Sequence, residues 1–597
     1  MADKPVTREE KYLAYLTGDY KGEIPKPITR KEKYLYELCL KGIGGEISPE
    51  EIKAAVNEYL EKNPVKPGAT TEQAQQIEQN KTDVASLGTI LREKKPSYYK
   101  TVSEMQSDIL LSKGMVAVTL GYYNASDGGG ATYIIDVSET NSSKINIKLN
   151  NGLYANIIIL DKIVNVLTAG IKNDGITPVS DQINALITNF NIHKLYFPSG
   201  VYLLDKKLIC SNGNDSALKG NSNLNENYYQ DGSRGNTVFK ASGEFSDDCI
   251  LDIDLYTRVC VENICFSGNA YKVTCDNNIS TTGNIHNMYT ETIYKQNLSG
   301  IIIRSAQCLI RDCFFDGFSD NGINTKIYNH IENCIFQNCR IGLQATIDNI
   351  IDSILCSSCK TGIMLGAGVK FEKTSLSQTN GGSNQISNIR MDGISKHGME
   401  IYGFTNMVNL YLADQVNFAS ILVNGYSNII TNASLSRSAQ YTAGNEMPVD
   451  CEEPEKYCAL FVAGDGRNNH IDFILRYMAA NDLNIAESIT PCYAICTDSY
   501  TQNNIFEASI ENTDEKTLED LWHTKHTMNN VFLVNGNKYE LVDWLNNKSY
   551  VKNGVSQSKN VHLRTGLLYE EENSVFMYNK KTDSWIEIME NSFFSRH

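Results

Sequence analysis

A short pattern of apolar and polar residues recurs through the middle of the chain, from Val261 to Phe532. Each copy consists of an apolar residue, any residue, Asn or a small polar substitute, two more residues and a final apolar residue. The copies begin at Val261, Ile310, Ile331, Ile351, Ile386, Met407 and Ile430. Where copies follow one another directly, their starts are 20 to 23 residues apart. A fixed period of this length indicates a solenoid in which each copy forms one coil.

The residue types of each copy predict coils made of strands. β-branched and aromatic residues favour strands, and Gly and Asn favour the tight turns between them. One copy cannot bury its apolar side alone, but coils stacked about 4.8 Å apart pair every strand and enclose a shared core. The sequence therefore predicts an all-β main body, a right-handed parallel β-helix. We expect the Asn of the pattern, such as Asn333, Asn409 and Asn432, to point inward and form a hydrogen-bonded ladder.

The residue pattern also divides the chain into five regions. Pro5–Leu13 and Pro27–Leu35 are near-copies, each with a capping Thr and a Glu three residues later, which indicates short amphipathic helices. Further on, apolar residues at a 3-4 spacing indicate a short coiled coil of three strands. The helices either fold on themselves or dock onto a larger assembly, and a single surface helix is the alternative to the coiled coil. The predicted regions are a helical attachment region (1–66), a coiled-coil neck (67–95), a small β domain (96–162), the β-helix (163–545) and a C-terminal β cap (546–597).

Charge and composition narrow the kinds of partner. The formal net charge of −16, without a basic stripe, argues against nucleic acid, which requires clustered Lys and Arg. The charged N-terminus predicts no signal peptide, and no apolar run is long enough for membrane insertion. The sixteen Cys are expected to be reduced and to face inward as small apolar residues. Cys356 and Cys359 have zinc-like spacing but no matching second pair, so neither a metal nor a cofactor is predicted.

Several motifs at the start of the β-helix and before it resemble a known protein family. They are Asp127–Tyr133, Val164–Gly175, a predicted helix near Ser180 to Asn189, and Leu195–Tyr202. Together they resemble the corresponding part of a bacteriophage tail spike with a pectate-lyase-like β-helix. The repeated Thr-Arg-x-Glu-Lys-Tyr-Leu motif of the first region resembles the attachment end of tail fibres from phages of Gram-positive hosts.

The resemblance implies a function that composition and spacing do not. It implies a homotrimeric tail spike of the virion, made in the bacterial cytoplasm and acting at the host cell surface. Residues 1–66 would bind a phage baseplate or tail protein, and the β-helix would bind bacterial surface polysaccharide and cleave it by hydrolysis or elimination. The alternative is a receptor-binding tail fibre protein without enzymatic activity. A phage-derived bacteriocin particle remains open, whereas the expected lack of a signal peptide disfavours a secreted bacterial lyase.

Hydrolysis of a glycan requires two carboxylates, which lie about 5 to 5.5 Å apart in a retaining enzyme. Stacking of the repeats predicts Arg311, Glu332 and Asp352 at one outward position of consecutive coils. Glu332 and Asp352 are therefore the candidate catalytic pair, and repulsion between them is expected to raise the pKa of one, so that one is the acid and the other the nucleophile. A solvated column of surface ion pairs is the competing interpretation.

Other candidates have less support. Asp316 lies in a second outward column and is the third catalytic candidate. Asp320, Glu400 and His397 near the corners, and His330 on the strand of the pair, are weaker still. The glycan-binding candidates are tyrosines whose faces could stack on sugar rings, namely Tyr289, Tyr294, Tyr328, Tyr402 and Tyr411. Buried packing explains any one of these tyrosines equally well.

Overall fold

The structure of the chain, a computed structural model, describes most of residues 95–510 and several strands beyond them. The described residues are Gln79, 95–139, 145–188, 194–211, 216–221, 236–254, 258–279, 285–366, 381–439, 447, 451–464, 466–476, 493–498, 501–510, 522–524, 530–535, 537–540, 549–552, 555–558, 568–571, 574–579 and 584–590. The predicted attachment region lies outside them, as does the predicted coiled coil apart from Gln79 and Lys95. Within the described part of the chain, no helix has the length and apolarity to cross a bilayer.

The chain divides into two compact units. The first contains residues up to Asp161 together with Leu167–Gly170, and the second contains Lys162–Val166 and all residues from Ile171 onward. The first unit has helix α1 (Val102–Ser107) and strands β1 (Ser97–Tyr99), β2 (Val116–Thr119), β3 (Thr132–Asp136), β4 (Ile147–Lys148) and β5 (Tyr154–Ile157). Its strands form one sheet, sheet 1, in the order β1-β2-β3-β5-β4, in which only β1 and β2 are parallel. The buried Met105 and Tyr133 belong to its core.

Among its described residues, the second unit contains one α-helix, α2, and a long series of strands, most of which belong to the β-helix. In chain order they are β6 (Ile163–Asn165), β7 (Asp174–Pro178), α2 (Ser180–Ile187), β8 (Lys194–Phe197), β9 (Gly200–Leu204), β10 (Leu208–Cys210), β11 (Ser216–Gly220), β12 (Thr237–Ala241), β13 (Cys249–Ile253), β14 (Val259–Glu262), β15 (Cys265–Ser267), β16 (Tyr271–Ile279), β17 (Ile285–Ile293), β18 (Ser299–Ile303), β19 (Leu309–Arg311), β20 (Phe314–Asp316), β21 (Asn321–Ile327), β22 (His330–Gln337), β23 (Ile341–Ile347), β24 (Ile350–Ser357), β25 (Thr361–Leu365), β26 (Gly381–Gly382), β27 (Gln385–Ile394), β28 (Met399–Ile401), β29 (Gly403–Phe404), β30 (Met407–Val416), β31 (Ile421–Val423), β32 (Ile429–Ser436), β33 (Cys458–Val462), β34 (His470–Arg476), β35 (Tyr493–Thr497), β36 (Ile505–Ile510), β37 (Trp522–Thr524), β38 (Val531–Val534), β39 (Asn537–Glu540), β40 (Ser549–Lys552), β41 (Val555–Ser558), β42 (Leu568–Glu571), β43 (Ser574–Asn579) and β44 (Ser584–Glu590).

Most of these strands form two long sheets, sheet 2 and sheet 3, in which the strands of successive coils are parallel. Strands β39, β40 and β41 extend sheet 3 in antiparallel pairing, and β42, β43 and β44 form a separate antiparallel sheet. Sheet 2 has the order β10-β13-β18-β21-β23-β25-β28-β31-β33-β35-β37. In the first coils sheet 3 has two halves, β6-β8-β11-β14-β19 and β7-β9-β12-β15-β20. From β22 onward a single bent strand spans both halves and is followed by β24, β27, β30, β32, β34, β36 and β38. This arrangement confirms the predicted parallel β-helix.

Each coil turns at residues in the left-handed backbone conformation. In the coil that contains β22, the residues Tyr328, Asn333 and Asn338 have φ values of 55°, 50° and 50°. The first lies before the strand, the second bends it and the third ends it. Among residues other than Gly, Asn and Asp tolerate this conformation best, because their short polar side chains can bond locally. The Asn of the sequence pattern therefore has a backbone role at the bend of the strand.

The predicted inward ladder exists, but it is built from other asparagines. Asn333, Asn409 and Asn432 are exposed on the outside of the β-helix, so their predicted inward position is wrong. The buried ladder consists of the residues just before the sheet 3 strands, namely Asn329, Asn349, Asn384, Asn406, Asn428, Asn469, Asn504 and Asn530. At Asn406, the side-chain oxygen accepts hydrogen bonds from the backbone N–H and the side-chain amide of Asn384, at 3.1 and 2.8 Å.

Equivalent inward residues of successive coils stack on one another. Phe266, Phe315 and Phe336 form a column in which neighbouring ring centroids are 5.0 Å apart. Cys356 and Met391 continue the column in the next two coils. All five side chains are buried, so residues far apart in sequence form one continuous core.

The register of the coils differs from the sequence pattern at β30. Val408, rather than Met407, pairs with Ile386 of the preceding coil. Leu410 consequently occupies the left-handed bend, with a φ of 54°. The long interval between the copies that begin at Ile351 and Ile386 forms a single coil with an insertion, because these two residues are paired directly in neighbouring strands. The insertion itself, between β25 and β26, lies outside the described residues.

An antiparallel hairpin, β16 and β17, leaves the β-helix and lies against the outer corners of several coils. The Asn338 side-chain oxygen accepts a hydrogen bond from the backbone N–H of Val273 at 3.3 Å. Three coils further along, the Tyr289 hydroxyl donates to the Gln415 carbonyl oxygen, also at 3.3 Å. The hairpin therefore fastens successive coils to one another from outside.

We predict that Asn406→Ala destabilises the protein far more than Asn409→Ala. The first change leaves the buried donors of Asn384 without their acceptor, at a cost of about 2 to 3 kcal/mol. The second removes an exposed amide of the same coil and is expected to change stability by less than about 0.5 kcal/mol. Urea unfolding followed by circular dichroism measures both effects at equal protein concentration. Equal unfolding midpoints for the two variants would show that the ladder is not a main source of stability.

Candidate functional site

A column of charged side chains on the outward side of sheet 3 contains the predicted catalytic pair. Backbone pairing aligns Lys219, Glu262, Arg311, Glu332 and Asp352 on successive coils. The charges alternate as far as Glu332, and Arg311 Nη atoms lie 3.2 Å from Glu262 and 3.9 Å from Glu332. The alternation ends at Asp352. Glu332 and Asp352 are therefore adjacent acids on strands about 4.8 Å apart, as the repeat predicts.

The surroundings of Asp352 favour its ionised form. Burial opposes ionisation, but hydrogen bonds from the hydroxyls of Ser387 and Ser353 and from the Asn388 amide, together with His330, lower the pKa of Asp352 below its ordinary value. Asp352 is therefore not the member of the predicted pair whose pKa is raised. As an ionised group, Asp352 can act as a nucleophile or a base but not as the acid.

Two further side chains, His330 and Tyr328, complete this part of the surface. His330 Nε2 lies 3.3 Å from Glu332 Oε2, and both side chains are partly exposed. Tyr328, at the corner before the same strand, is 58% exposed. We call Tyr328, His330, Glu332 and Asp352 the carboxylate patch. It combines an exposed aromatic face, which can stack on a sugar ring, with carboxylates that can accept hydrogen bonds from sugar hydroxyls.

The tyrosines predicted to bind glycan are only partly available. Tyr294 is 67% exposed, and Tyr289 is half-buried against the coils by the hydrogen bond that its hydroxyl donates to Gln415. Tyr402 and Tyr411 are buried, so they cannot stack on a sugar and this part of the prediction is corrected.

The positions of these two buried rings have a physical cause. The hydroxyl of Tyr402 donates to Glu400 at 2.8 Å, and that of Tyr411 donates to the Ser420 carbonyl oxygen at 2.8 Å. The unexpected register of β30 turns Tyr411 to the core, because a shift of one residue exchanges the two faces of a strand.

Asp316, the third catalytic candidate, is also buried. Asn338 donates a hydrogen bond to its carboxylate at 2.9 Å and accepts one from the hairpin backbone at Val273. Asp316 thus lies under the start of the hairpin and helps to attach it. This role is structural, and the catalytic assignment of Asp316 is corrected accordingly.

A buried carboxylate on the outward side of sheet 2 has more contacts than the sequence indicated. Glu400 is 2% exposed and lies within strand β28, not at a corner. The hydroxyls of Thr361 and Tyr402 donate to its two oxygens at 3.0 and 2.8 Å, and Lys396 Nζ lies 3.6 Å away. Burial opposes ionisation, but His397, Lys396 and the two hydroxyls lower the pKa of Glu400. We call these five residues the Glu400 cluster.

The Glu400 cluster is closed to a polymeric substrate. His397 is fully buried, and its burial lowers its pKa to about 4, so it is neutral at pH 7. A 3-10 turn, Pro454–Lys456, lies nearby and carries Glu455, whose pKa is raised by burial and by Glu453. Opposite shifts of two carboxyls resemble an acid–base pair. However, both oxygens of Glu400 are occupied by protein donors, so the cluster ties coils together.

The cysteines of the β-helix are structural. Cys313 and Cys334 are buried in neighbouring coils, and Cys356 and Cys359 are buried within one coil, as predicted for inward thiols. Burial raises the pKa of the Cys356 thiol, which keeps it protonated and unreactive. Among the described residues, no group of His, Cys, Asp and Glu side chains has the arrangement of a metal site.

A family profile matches part of the sequence. The family is described as rhamnogalacturonase A/epimerase, pectate lyase-like, and the match covers residues 163–364. This segment is the first half of the β-helix and contains the carboxylate patch, so the patch lies within the matched segment. No curated protein sequence matches the chain.

Solved structures that resemble this chain include phage tailspikes with a parallel β-helix. Tailspike protein 4 of bacteriophage CBA120, as its enzymatically active domain, is 14% identical with a TM-score of 0.38, and the match covers 73% of this chain and 53% of that chain. WceF of Pantoea stewartii, a glycan biofilm modifying enzyme with a tailspike-like fold, is 10% identical with a TM-score of 0.37, covering 81% and 57%. Tailspike gp49 of Acinetobacter baumannii bacteriophage Fri1, a capsular polysaccharide depolymerase, is 12% identical with a TM-score of 0.37, covering 69% and 75%. The match spans little more than half the length of the first two chains, and similarity at this level carries no conclusion about activity.

The Glu400 cluster generates a prediction about stability and pH. Because the pKa of Glu400 is lowered by folding, its ionised form stabilises the fold at neutral pH, and this contribution is lost as pH falls below about 4.3, the ordinary value for Glu. We expect Glu400→Gln to lower the free energy of unfolding at pH 7 by about 1 to 3 kcal/mol. The difference from wild type should stay nearly constant from pH 7 down to about 4.3 and should shrink at lower pH, as Glu400 becomes protonated in the folded protein.

Unfolding of the two proteins across this pH range checks the prediction. Glu453→Gln is the control, because the Glu453 side chain is 57% exposed and lies in the neighbouring turn. A Glu400→Gln effect that is as small as the control, or that grows on acidification, would contradict the electrostatic role of Glu400.

Proposed function

We propose that this chain is the subunit of a bacteriophage tail spike that binds a polysaccharide of the host cell surface and cleaves it. The observation that carries the proposal is the carboxylate patch, where two acids are stacked one coil apart beside an exposed tyrosine. The tail-spike motifs of the sequence, the parallel β-helix and the pectate-lyase-like match over residues 163–364 support the same function. Repeated coils offer a polymer a long, straight surface.

The proposed reaction is hydrolysis with retention of configuration. Glu332 donates a proton to the leaving glycosidic oxygen, while the Asp352 carboxylate forms a bond to the anomeric carbon. Glu332 then takes a proton from water, whose oxygen displaces Asp352 and completes the cleavage. The lowered pKa of Asp352 suits the nucleophile of this scheme. Elimination by a lyase mechanism is the second chemical possibility.

The proposed substrate is a neutral or basic glycan. The chain carries a formal net charge of −16, which disfavours polyanions at low salt. Tyr328 and Tyr294 are the proposed sugar-stacking residues, because both are exposed.

A second candidate function is glycan binding without cleavage. It is favoured by the contacts of the pair, because Glu332 has Arg311 and His330 as partners and Asp352 accepts three side-chain hydrogen bonds. Such a column is electrostatically satisfied without any reaction. The protein would then be a receptor-binding tail fibre protein.

The proposed assembly is a homotrimer in the virion, made in the bacterial cytoplasm and acting at the host surface. Residues 1–66 would attach it to a baseplate or tail protein. The attachment motif and the coiled-coil pattern of residues 67–95 support this assembly.

We predict that the purified chain shortens host surface polysaccharide and that Glu332→Gln and Asp352→Asn each slow this by at least about 100-fold. Polymer size and new reducing ends measure the rate. Glu507→Gln is a matched control, because Glu507 lies 3.1 Å from His470 on the same face, much as Glu332 lies 3.3 Å from His330. Its rate should stay within about twofold of wild type.

Each outcome has a distinct meaning. Cleavage that survives both substitutions would contradict the catalytic assignment. Binding without cleavage by wild type would favour the receptor-binding function, in which case Tyr328→Ala should still weaken binding and Tyr98→Ala, in the first unit, should not. Neither binding nor cleavage of any host surface polysaccharide would contradict the proposed function.

A further inference from the structure

Exposed aliphatic side chains are concentrated on the outward side of sheet 3, beyond the carboxylate patch. We call Ile350, Met407, Leu410, Leu412, Ile429, Ile474 and Ile505 the apolar stripe; these side chains are 39% to 54% exposed. Strand pairing places Ile350, Met407, Ile429 and Ile505 in a single column. The column spans six coils, which corresponds to roughly 24 Å along the axis at the usual strand spacing. Outward positions on strands exposed to water are normally polar, so four apolar residues in a column of six coils, in which only Gln385 and His470 are polar, require a cause.

Leu410 shows that the stripe is not a by-product of strand formation. It occupies the left-handed bend, where the neighbouring coils have Asn388 and Asn432. A leucine in this conformation costs about 1 to 2 kcal/mol, more than an asparagine does. Leu410 is also 50% exposed, so burial within the single chain offsets little of this cost. Both the backbone conformation of Leu410 and the exposure of its side chain to water are unfavourable. This combination indicates that the side chain makes a contact outside the single chain.

The other long sheet also has a mainly apolar outward column, but the chain itself covers it. Met364, Leu422, Phe461 and Cys496 are aligned on sheet 2 with Glu400, which lies between Met364 and Leu422, and all five are buried, although they point away from the interior of the β-helix. The stripe on sheet 3 remains exposed on the single chain. The two sheets thus differ in what covers them, not in their apolar character.

Charge indicates which partner fits the stripe. In the centre of the stripe, across residues 385–390, 407–412 and 429–434, Arg390 is the sole charged residue, whereas the strands at its two ends carry Asp352, Asp472 and Glu507. Copies of a chain with a net charge of −16 repel one another, and they meet at least cost where the surface carries almost no charge. An uncharged apolar surface on regularly spaced strands is also the composition found at the centre of homo-oligomer interfaces.

We propose that the apolar stripe is the surface through which copies of this chain pack side by side along the β-helix. The inference rests on the proposed homotrimer and adds the face that mediates it. In a closed ring of copies, each stripe contacts a surface of the next copy through Met407, Leu410, Leu412 and Ile429, so that the outward side of β30 and β32 is buried, whereas Asp352 of the carboxylate patch lies two coils earlier on β24 and stays in contact with solvent.

Site-specific photo-crosslinking of the full-length chain tests the proposal. A photoreactive amino acid replaces Met407, Ile429 or Ile134 in separate variants. Ile134 is the control because it is 42% exposed, as is Ile429, but lies on sheet 1 of the first unit. We expect products of two chains from positions 407 and 429 and at least about tenfold less from position 134. Sedimentation velocity of each sample gives the number of chains in the particle.

The outcomes separate the interface from the oligomer. Crosslinks from 407 and 429 to a second copy support the proposal. An oligomer without such crosslinks overturns the assigned face but leaves the homotrimer standing. A monomer overturns both. Crosslinks within one chain would show that a segment of the same chain covers the stripe, which also overturns the proposal.

Thermal unfolding of the assembled protein provides a second readout. Ile429→Asp and Ile134→Asp introduce the same charge at sites of equal exposure in the single chain. If the stripe is an interface, Ile429→Asp lowers the unfolding midpoint of the assembly and raises the monomer fraction at least about tenfold over the control. Equal midpoints and equal monomer fractions for the two variants would place Ile429 in solvent and overturn the proposal.

Discussion

Hydrogen bonds that run along the axis of the β-helix are the interaction on which the rest of the structure depends. Between coils, each sheet strand pairs with the strands above and below, and the buried asparagines extend this pairing through the corners, where no strand exists. A buried amide without partners would be costly, so every coil must repeat the same corner at the same height. This constraint fixes the register of the coils, and the register determines which side chains point outward.

Much of the fold could be predicted from the sequence, because the repeat and the strand-forming residues indicate a parallel β-helix independently. The predicted ladder of Asn333, Asn409 and Asn432 is wrong because Asn recurs at two positions of each coil, one at the bend of the strand and one just before the strand. The bend position varies, with Ser353 and Leu410 as substitutes, whereas the position before the strand is Asn from Asn329 to Asn530. That constancy within one chain was the signal for the ladder. No sequence pattern indicates the one-residue register shift at β30, which places Tyr411 in the core and not on the surface.

The candidate site was predictable only as far as the register was. The vertical neighbours Glu332 and Asp352 follow from the repeat, but the donors to Asp352 come from residues of the next coil and from local bonds that spacing does not reveal. No sequence motif indicates the contacts of Glu400, because Thr361 and Tyr402 come within hydrogen-bonding distance of it only when the coils pack. On this scaffold, outward residues form three different surfaces: a charged column, a covered apolar column and an exposed apolar stripe. The proposed functions use the first and the last.

Hydrogen exchange at the ladder corners tests the central claim most directly. The backbone N–H groups of Asn384, Asn406 and Asn428 each donate to the side-chain oxygen of the next ladder Asn, at 2.9 to 3.1 Å. If axial hydrogen bonds hold the coils together, these three amides exchange with solvent as slowly as the amides of the adjoining strands. In both places exchange then requires the coils to separate. Exchange of the three amides at the rate of exposed turns, while the strands stay protected, would contradict the account.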